Sequence, residues 1–184
     1  MVSFIFFIWF LVLLGAIIGA MRGWAKELLV FWSGILGIFI ILVLESYVEV
    51  VQTLITDPAS QFWMRAAIMT LMAIFGYETP RIRYLASATR REYLHDSLLG
   101  LFIGGLNGWL FFGSIWAYLH QVNYLIGKSD IYSKLFIPPA AGTDIGDSVL
   151  ALLNRMPPQI GMFNAPGIYL ILAVVSVTIV ILLV

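Results

Sequence analysis

The sequence has no cysteine and few charged residues, and both absences limit what the protein can be. Without cysteine there is no disulfide, no thiol nucleophile and no thiolate metal site. Only 11% of the 184 residues are charged and 61% are hydrophobic, with a mean hydropathy of +0.99. This composition excludes a water-soluble domain and predicts an all-α integral membrane protein. The ten basic and ten acidic side chains cancel, so no net charge favours a nucleic acid as partner.

Groups that carry chemistry are also scarce. The two histidines, His95 and His120, flank one apolar run and would lie about 37 Å apart along a helix, so they cannot share a metal ion. We find no nucleophile with a base, no paired carboxylates and no phosphate-binding loop. We therefore expect no enzymatic activity, no cofactor and no metal site, while ligation of a haem or pigment by His120 stays open.

Apolar runs predict five transmembrane helices in a single membrane domain covering residues 1–184. The runs are residues 1–21, 28–44, 61–77, 97–119 and 167–184, and each is long enough to cross the hydrocarbon core. No basic residue precedes the first run, so we expect a retained span rather than a cleaved signal peptide. Residues 22–27 form a polar turn before the second. In the third, Arg65 either snorkels toward the headgroups or is a buried functional arginine.

Two further segments predict amphipathic helices at the membrane surface. Residues 81–95 combine an apolar face with basic side chains and suit a helix lying on anionic headgroups, bound through Arg81, Arg83, Arg90 and Arg91. Alternatively, Thr89-x-x-Glu92 is a capping box that begins the next helix. Residues 144–156 have an apolar stripe, acidic residues at the start and prolines after the end. This second helix belongs to a long loop, residues 120–166.

The distribution of basic residues predicts the orientation. Six lysines and arginines lie in the turn after the first run and in the 81–95 segment, against four on the other side of the membrane. The positive-inside rule makes the richer side cytoplasmic. The N-terminus and the 120–166 loop are then extracytoplasmic, and the C-terminus is cytoplasmic.

One stretch of twelve residues occurs twice. Residues 13–24 recur as residues 98–109 with seven identities, which include three glycines spaced four residues apart. Glycines at this spacing share one helix face and allow another backbone to approach closely. We therefore predict that these helices pack against each other or against a shared partner, through Gly15, Gly19, Gly23, Gly100, Gly104 and Gly108. Asn107 lies near this face and is expected to form an interhelical hydrogen bond, with a role as a substrate ligand as the alternative.

These motifs resemble the colicin V production protein family (CvpA-like), which are small multi-pass proteins of the bacterial inner membrane. The resemblance rests on Gly19-x-x-Arg22-Gly23-x-x-Lys26-Glu27, on the basic segment, and on Asp96-x-x-x-Gly100-x-x-x-Gly104-x-x-x-Gly108. It covers about residues 1–119, so the predicted fifth span lies beyond it. The family implies a role in colicin V production and, more broadly, in the cell envelope, without an established catalytic activity.

Two functions agree with the sequence. The first is a non-enzymatic inner-membrane protein with an envelope or export-accessory role, as the resemblance implies. The alternative is a structural accessory subunit of a larger respiratory or photosynthetic membrane complex. In both cases the expected partners are the lipid bilayer and other membrane-protein subunits, or further copies of the same chain.

Overall fold

The computed structural model describes residues 4–79, 93–125, 139 and 141–183, and it contains no strand in these residues. The all-α prediction is therefore confirmed for this part of the chain. The helices are α1 (Phe4–Arg22), α2 (Trp24–Tyr47), α3 (Glu49–Leu54), α4 (Pro58–Glu78), α5 (Tyr93–Gln121), α6 (Asp144–Leu153) and α7 (Gly167–Leu183). Short 3-10 turns cover Pro157–Gln159 and Gly161–Phe163.

Three helices are long and apolar enough to cross a membrane. They are Ile5–Arg22, Trp24–Tyr47 and Leu94–Gln121, and they correspond to the first, second and fourth predicted spans. The third predicted span lies within α4, and the fifth corresponds to α7, whose apolar part, Gly167–Ile181, is shorter. The chain is thus a helical membrane protein with three candidate spans, and the number five remains a prediction.

The polar turn predicted between the first two spans, residues 22–27, is longer than the turn in the structure. Gly23 alone separates α1 from α2, and residues 24–27 form the first turn of α2. Gly23 has φ 86° and ψ 154°, a conformation that is essentially restricted to glycine. Because Gly23 brings no capping side chain, a residue from another helix supplies the cap: Asp96 Oδ1 accepts a hydrogen bond from the Trp24 backbone N–H at 3.1 Å.

The helices α2 and α5 form the centre of the bundle. α1 packs mainly along α5 and only slightly against α2, whereas α2 also contacts α4 and α7. The larger apolar core lies among α2, α4 and α5, with Ile35, Met69 and Leu110 fully buried. On the α7 side, Trp32 Nε1 donates a hydrogen bond to Ser176 Oγ at 2.9 Å. α1 is therefore a peripheral helix held chiefly by one neighbour.

The predicted amphipathic helix at residues 144–156 corresponds to α6. The helix begins at Asp144, where Thr143 Oγ1 accepts from the Gly146 N–H as N-cap, and it ends at Leu153, three residues early. A second core packs the buried Leu153 and Met156 against α1 and α5. Ile145, although part of the predicted stripe, is 73% exposed. Only the C-terminal part of the stripe is thus covered by the bundle.

Candidate functional site

The two glycine stripes face each other across the interface of α1 and α5. A Cβ atom built on Gly15 would lie 2.7 Å from the carbonyl oxygen of Gly104, and the Cβ of any residue at Gly19 would overlap the carbonyl of Gly100. Gly108 likewise packs against the backbone of α1. Low residue numbers in α1 oppose high numbers in α5, so the helices are antiparallel. The repeat predicted that these helices pack against each other or against a shared partner, and in the structure they pack against each other.

Polar contacts extend this interface at the α5 N-terminus. Ser97 Oγ donates to the Ala20 carbonyl at 2.9 Å, and the Asp96 carboxylate lies where a side chain on Gly23 would have to be. Gly23, predicted as a packing position, therefore serves a turn and leaves room for the cap of α2. Glycine is required there both for its backbone conformation and for the space.

Helix α4 approaches α2 through a glycine that the repeat did not indicate. A Cβ on Gly76 would lie 2.9 Å from Cα of Val30 and would overlap the hydroxyl of Ser33. A single glycine with no periodic neighbour carries little signal in a sequence, since glycine is common in membrane helices. The structure thus has a second close helix contact besides the one that the repeat predicted.

A fully buried carboxylate lies at the junction of the helices. Glu27, in the first turn of α2, has 0% exposure. Asn107 Nδ2 donates to Glu27 Oε2 at 2.7 Å and to the Glu27 carbonyl oxygen at 3.0 Å. Arg22 Nη1 donates to Glu27 Oε1 at 2.6 Å and forms an ion pair. The interhelical hydrogen bond that we expected of Asn107 is present, and its partner is Glu27.

Arg22 connects this group to α4. Its guanidinium lies 4.4 Å from the centre of the Tyr77 ring, and Nη2 donates to the Tyr77 carbonyl at 3.3 Å. The Arg22–Glu27 ion pair therefore joins α1, α2, α4 and α5. A buried ion pair whose polar atoms are satisfied in this way fixes the relative positions of the helices, and removing one partner leaves an uncompensated charge.

The repeat places both partners of Glu27 at equivalent positions. Arg22 in the first copy aligns with Asn107 in the second, and each donates to one oxygen of the same carboxylate. Asn107 Oδ1 is buried and has no hydrogen-bond partner among the described residues. The sequence analysis placed Glu27 in a polar turn and did not predict this group, although Arg22 and Asn107 are aligned in the two copies of the repeat.

A second ion pair lies near the opposite end of α2. Arg65 Nε donates to Glu45 Oε1 at 2.6 Å and Nη2 to Glu45 Oε2 at 3.1 Å, a bidentate arrangement between α4 and α2. Nη1 donates to Gln121 Oε1 of α5 at 2.8 Å, and the guanidinium lies 5.3 Å from the centre of the Tyr118 ring. The Arg65 side chain is only 14% exposed. Arg65 is therefore largely buried and paired with Glu45.

The two ion pairs are separated by about one hydrocarbon thickness. Glu27 and Glu45 are 18 residues apart on the same helix, which corresponds to about 27 Å against the roughly 30 Å of a bilayer core. Charged groups tolerate these depths better than the bilayer centre. The charged residues of α2 thus lie where its two ends would enter the headgroup layers.

Comparison with known proteins identifies no relative of this chain. No family model, curated protein or solved structure matches the chain. The resemblance to the colicin V production family therefore stays a prediction.

The remaining predicted site residues divide into two groups. Among the residues described, Ser114 Oγ donates to the Leu110 carbonyl of its own helix. His120 stacks edge-on against Tyr124 at 5.9 Å, and its Nδ1 is buried without a hydrogen-bond partner in the described residues. Burial raises the pKa of Tyr124. The headgroup-binding residues predicted from the sequence lie outside the described residues; they are Arg81, Arg83, Arg90 and Arg91.

Residues 4–79, 93–125 and 141–183 contain no group of three or more carboxylate or histidine side chains placed to hold an ion. The arrangement that the structure does provide is a set of contacts between helices, made by glycine backbones and by two ion pairs.

Proposed function

We propose that this chain is a non-enzymatic inner-membrane protein that acts by binding and packing, in an envelope or export-accessory role of the colicin V production type. The observation that carries the proposal is that the buried ionisable side chains form ion pairs and hydrogen bonds between helices. Glu27 is bound by Arg22 and Asn107, and Arg65 by Glu45 and Gln121. Each of these groups contacts a neighbouring helix, and breaking such a buried pair leaves an uncompensated charge, which supports a role in holding the helices together.

A specific observation supports the alternative, an accessory subunit of a larger membrane complex. The face of α1 that points away from α5 exposes Phe6 by 73%, Trp9 by 56% and Phe10 by 59%. Large aromatic side chains supply much of the contact area in protein interfaces, and they also pack well against lipid. This face is where a further subunit would bind.

We further propose five spans, with the N-terminus and the 120–166 loop outside and the C-terminus in the cytoplasm. The proposal is supported by the excess of basic residues on the cytoplasmic side and by the helical state of α4 and α7. In this arrangement the Arg22–Glu27 ion pair lies at the cytoplasmic surface and the Arg65–Glu45 ion pair at the outer surface.

Site-specific photo-crosslinking in bacterial membranes tests the two functions against each other. A photoreactive phenylalanine analogue replaces Phe10, and the matched control carries it at Ile8, which is 3% exposed. An accessory subunit should give one discrete protein adduct from position 10, together with a large assembly on native gels after mild detergent extraction. A stand-alone protein should give lipid adducts or a dimer of this chain. Equal protein adducts from both positions would contradict a specific interface on this face.

Catalysis is tested separately on the purified chain. Turnover of a substrate that is lost when Asn107 or His120 is replaced, with the helical content and oligomeric state unchanged, would contradict the non-enzymatic proposal. We expect such replacements to change stability and assembly only.

A further inference from the structure

Two open clefts lie on either side of the Arg65–Glu45 ion pair. The first, of about 250 Å³, lies beside α3 and includes Gln52 in its wall. The second, of about 210 Å³, lies between α2, α5 and the 3-10 turns and includes Gln121. Arg65 and Glu45 line both clefts, so this ion pair is the wall that they share. At about 30 Å³ per water molecule, the second cleft has room for a small polar group of about seven waters' volume.

The ion pair retains unused hydrogen-bonding capacity. A guanidinium has five N–H groups, and three of those of Arg65 donate to Glu45 and Gln121. Among the described contacts, one N–H group on Nη1 and one on Nη2 have no acceptor, and each can donate to a phosphate oxygen. Each Glu45 oxygen accepts one hydrogen bond from Arg65, although a carboxylate oxygen can accept two. The pair thus offers two donors to an anion and two acceptor positions to an ammonium.

The second cleft is amphipathic. Its apolar wall includes Ile38, Ile41 and Leu42 of α2 together with Pro158 and Phe163, and its polar wall includes Ser46 and Asn164. A phospholipid has the same polarity, with a charged headgroup attached to acyl chains. The order of residues in α2 also agrees with a bound phospholipid. The apolar positions precede Glu45 and therefore lie deeper in the bilayer than the charged pair.

The helix ends place this ion pair at headgroup depth. Glu45 lies in the last turn of α2, Gln121 is the last residue of α5, and Arg65 lies in the second turn of α4. Three helices therefore end or begin at this level. Of this pair, the Glu45 side chain is the more exposed, at 32% against 14% for Arg65.

From these observations we propose that the Arg65–Glu45 ion pair binds the headgroup of a zwitterionic phospholipid with a primary ammonium, that is, a phosphoethanolamine headgroup. The phosphate accepts the two remaining N–H groups of Arg65, and the ammonium donates to Glu45. The first part of an acyl chain lies along Leu42, the half-buried apolar residue of the α2 wall.

The chemistry of the pair selects this headgroup over two others. A choline headgroup carries the same charges but has no N–H, so it leaves the acceptor positions of Glu45 unfilled. An anionic glycerol headgroup brings a phosphate without a cation, and Glu45 repels it. A lipid whose charges mirror the ion pair satisfies both side chains.

Native mass spectrometry of the full chain in detergent tests the proposal. The lipids have identical acyl chains and differ in the headgroup: phosphatidylethanolamine, its mono- and dimethylated forms, phosphatidylcholine and phosphatidylglycerol. We expect phosphatidylethanolamine to bind about tenfold or more tightly than phosphatidylcholine, since a hydrogen bond to a charged group is lost. Affinity should fall with each methyl group. This series of lipids is measured on the unsubstituted chain, so its result does not depend on whether a variant folds.

Two variants locate the site. Arg65→Gln and Glu45→Gln should each bring the affinity for phosphatidylethanolamine down to that for phosphatidylcholine. The matched control, Arg22→Gln, breaks the other ion pair at the opposite end of α2 and should leave the preference for the ethanolamine headgroup unchanged.

Several outcomes would overturn the proposal. These are equal affinity for all headgroups, a preference for phosphatidylglycerol, and a loss of preference in the Arg22 variant equal to that in the Arg65 variant. The first two would remove the ethanolamine site, and the last would show that the preference reflects the integrity of the bundle. Because the site uses neither α1 nor a protein partner, these outcomes are independent of the crosslinking test.

Discussion

Replacing Gly104 by alanine should weaken the α1–α5 interface, whereas the same replacement at the next residue, Gly105, should not. A Cβ on Gly104 would lie 2.8 Å from Cα of Gly19 and would overlap the carbonyl of Gly15. A Cβ on Gly105 would meet only the Cβ of Ala16, at 3.5 Å, which is ordinary van der Waals contact. The two positions share a helix, a depth and a residue type, so they form a matched pair.

The expected magnitude follows from two opposing effects. In both variants alanine stabilises the helix by about 0.5–1 kcal/mol relative to glycine. At Gly104 alone, the new methyl group forces the backbones apart, an overpacking that costs about 1–3 kcal/mol. The helix term cancels in the comparison, so the two variants should differ by about 1–3 kcal/mol in the free energy of unfolding, or about 5- to 150-fold in the folded-to-unfolded ratio.

Unfolding titrations with a denaturing detergent in mixed micelles measure this difference. A double variant sharpens the test, because Gly19→Ala would place its Cβ 2.7 Å from Cα of Gly104. One separation of the helices accommodates both methyl groups, and the double variant should therefore lose less than the sum of the single losses. Agreement of the Gly104 and Gly105 variants to within about 0.5 kcal/mol would refute the claim that backbone contact holds α1 in place.

Three further variants test the polar contacts, the turn and the orientation. Asn107→Leu removes a buried donor from a carboxylate and should cost about 1–3 kcal/mol of unfolding free energy. Ser114→Ala loses one hydrogen bond to a carbonyl of its own helix and should cost at most about 1 kcal/mol; equal losses would contradict this. Gly23→Ala should cost about 1–3 kcal/mol in the same titration because of its φ of 86°, and an unchanged midpoint would show that the turn relaxes. Since the chain has no cysteine, single cysteines at Ser87 and Thr143 report sidedness without background: a membrane-impermeant reagent added outside should label position 143 and spare position 87, and the reverse pattern would overturn the orientation.

The sequence predicted the helices well where the signal is local. Apolar runs marked α1, α2 and α5, and the acidic first turn with prolines after the end marked α6. Helix ends were placed less accurately, because capping at Gly23 depends on Asp96, which is distant in the sequence. No local pattern indicates that a carboxylate from another helix will satisfy the first N–H groups of α2.

The two ion pairs were not predicted either, because Asn107, which binds Glu27, and Glu45, which binds Arg65, are also distant in the sequence. Glu27 was placed in a polar turn because it follows Arg22 and Lys26, yet it is fully buried and accepts a hydrogen bond from Asn107, 80 residues further on in another helix. Arg65 was ambiguous because its partner Glu45 lies at the end of a different helix. The glycine stripes were easier to interpret, since their periodicity alone shows that one face has no side chains.

The antiparallel contact between α1 and α5 has a consequence for the biosynthesis of the protein. Gly19 and Gly104 are roughly 85 residues apart, so at about 5–20 residues per second α1 leaves the ribosome about 4–17 s before the opposing glycine is made. During that interval the groove of α1 faces lipid or the insertion machinery, because α2 hardly contacts this helix. Chains arrested before residue 93 should therefore crosslink from position 19 to lipid or to the insertase, and full-length chains should not. Crosslinking that is the same at both lengths would mean that α1 finds no partner in α5 during assembly.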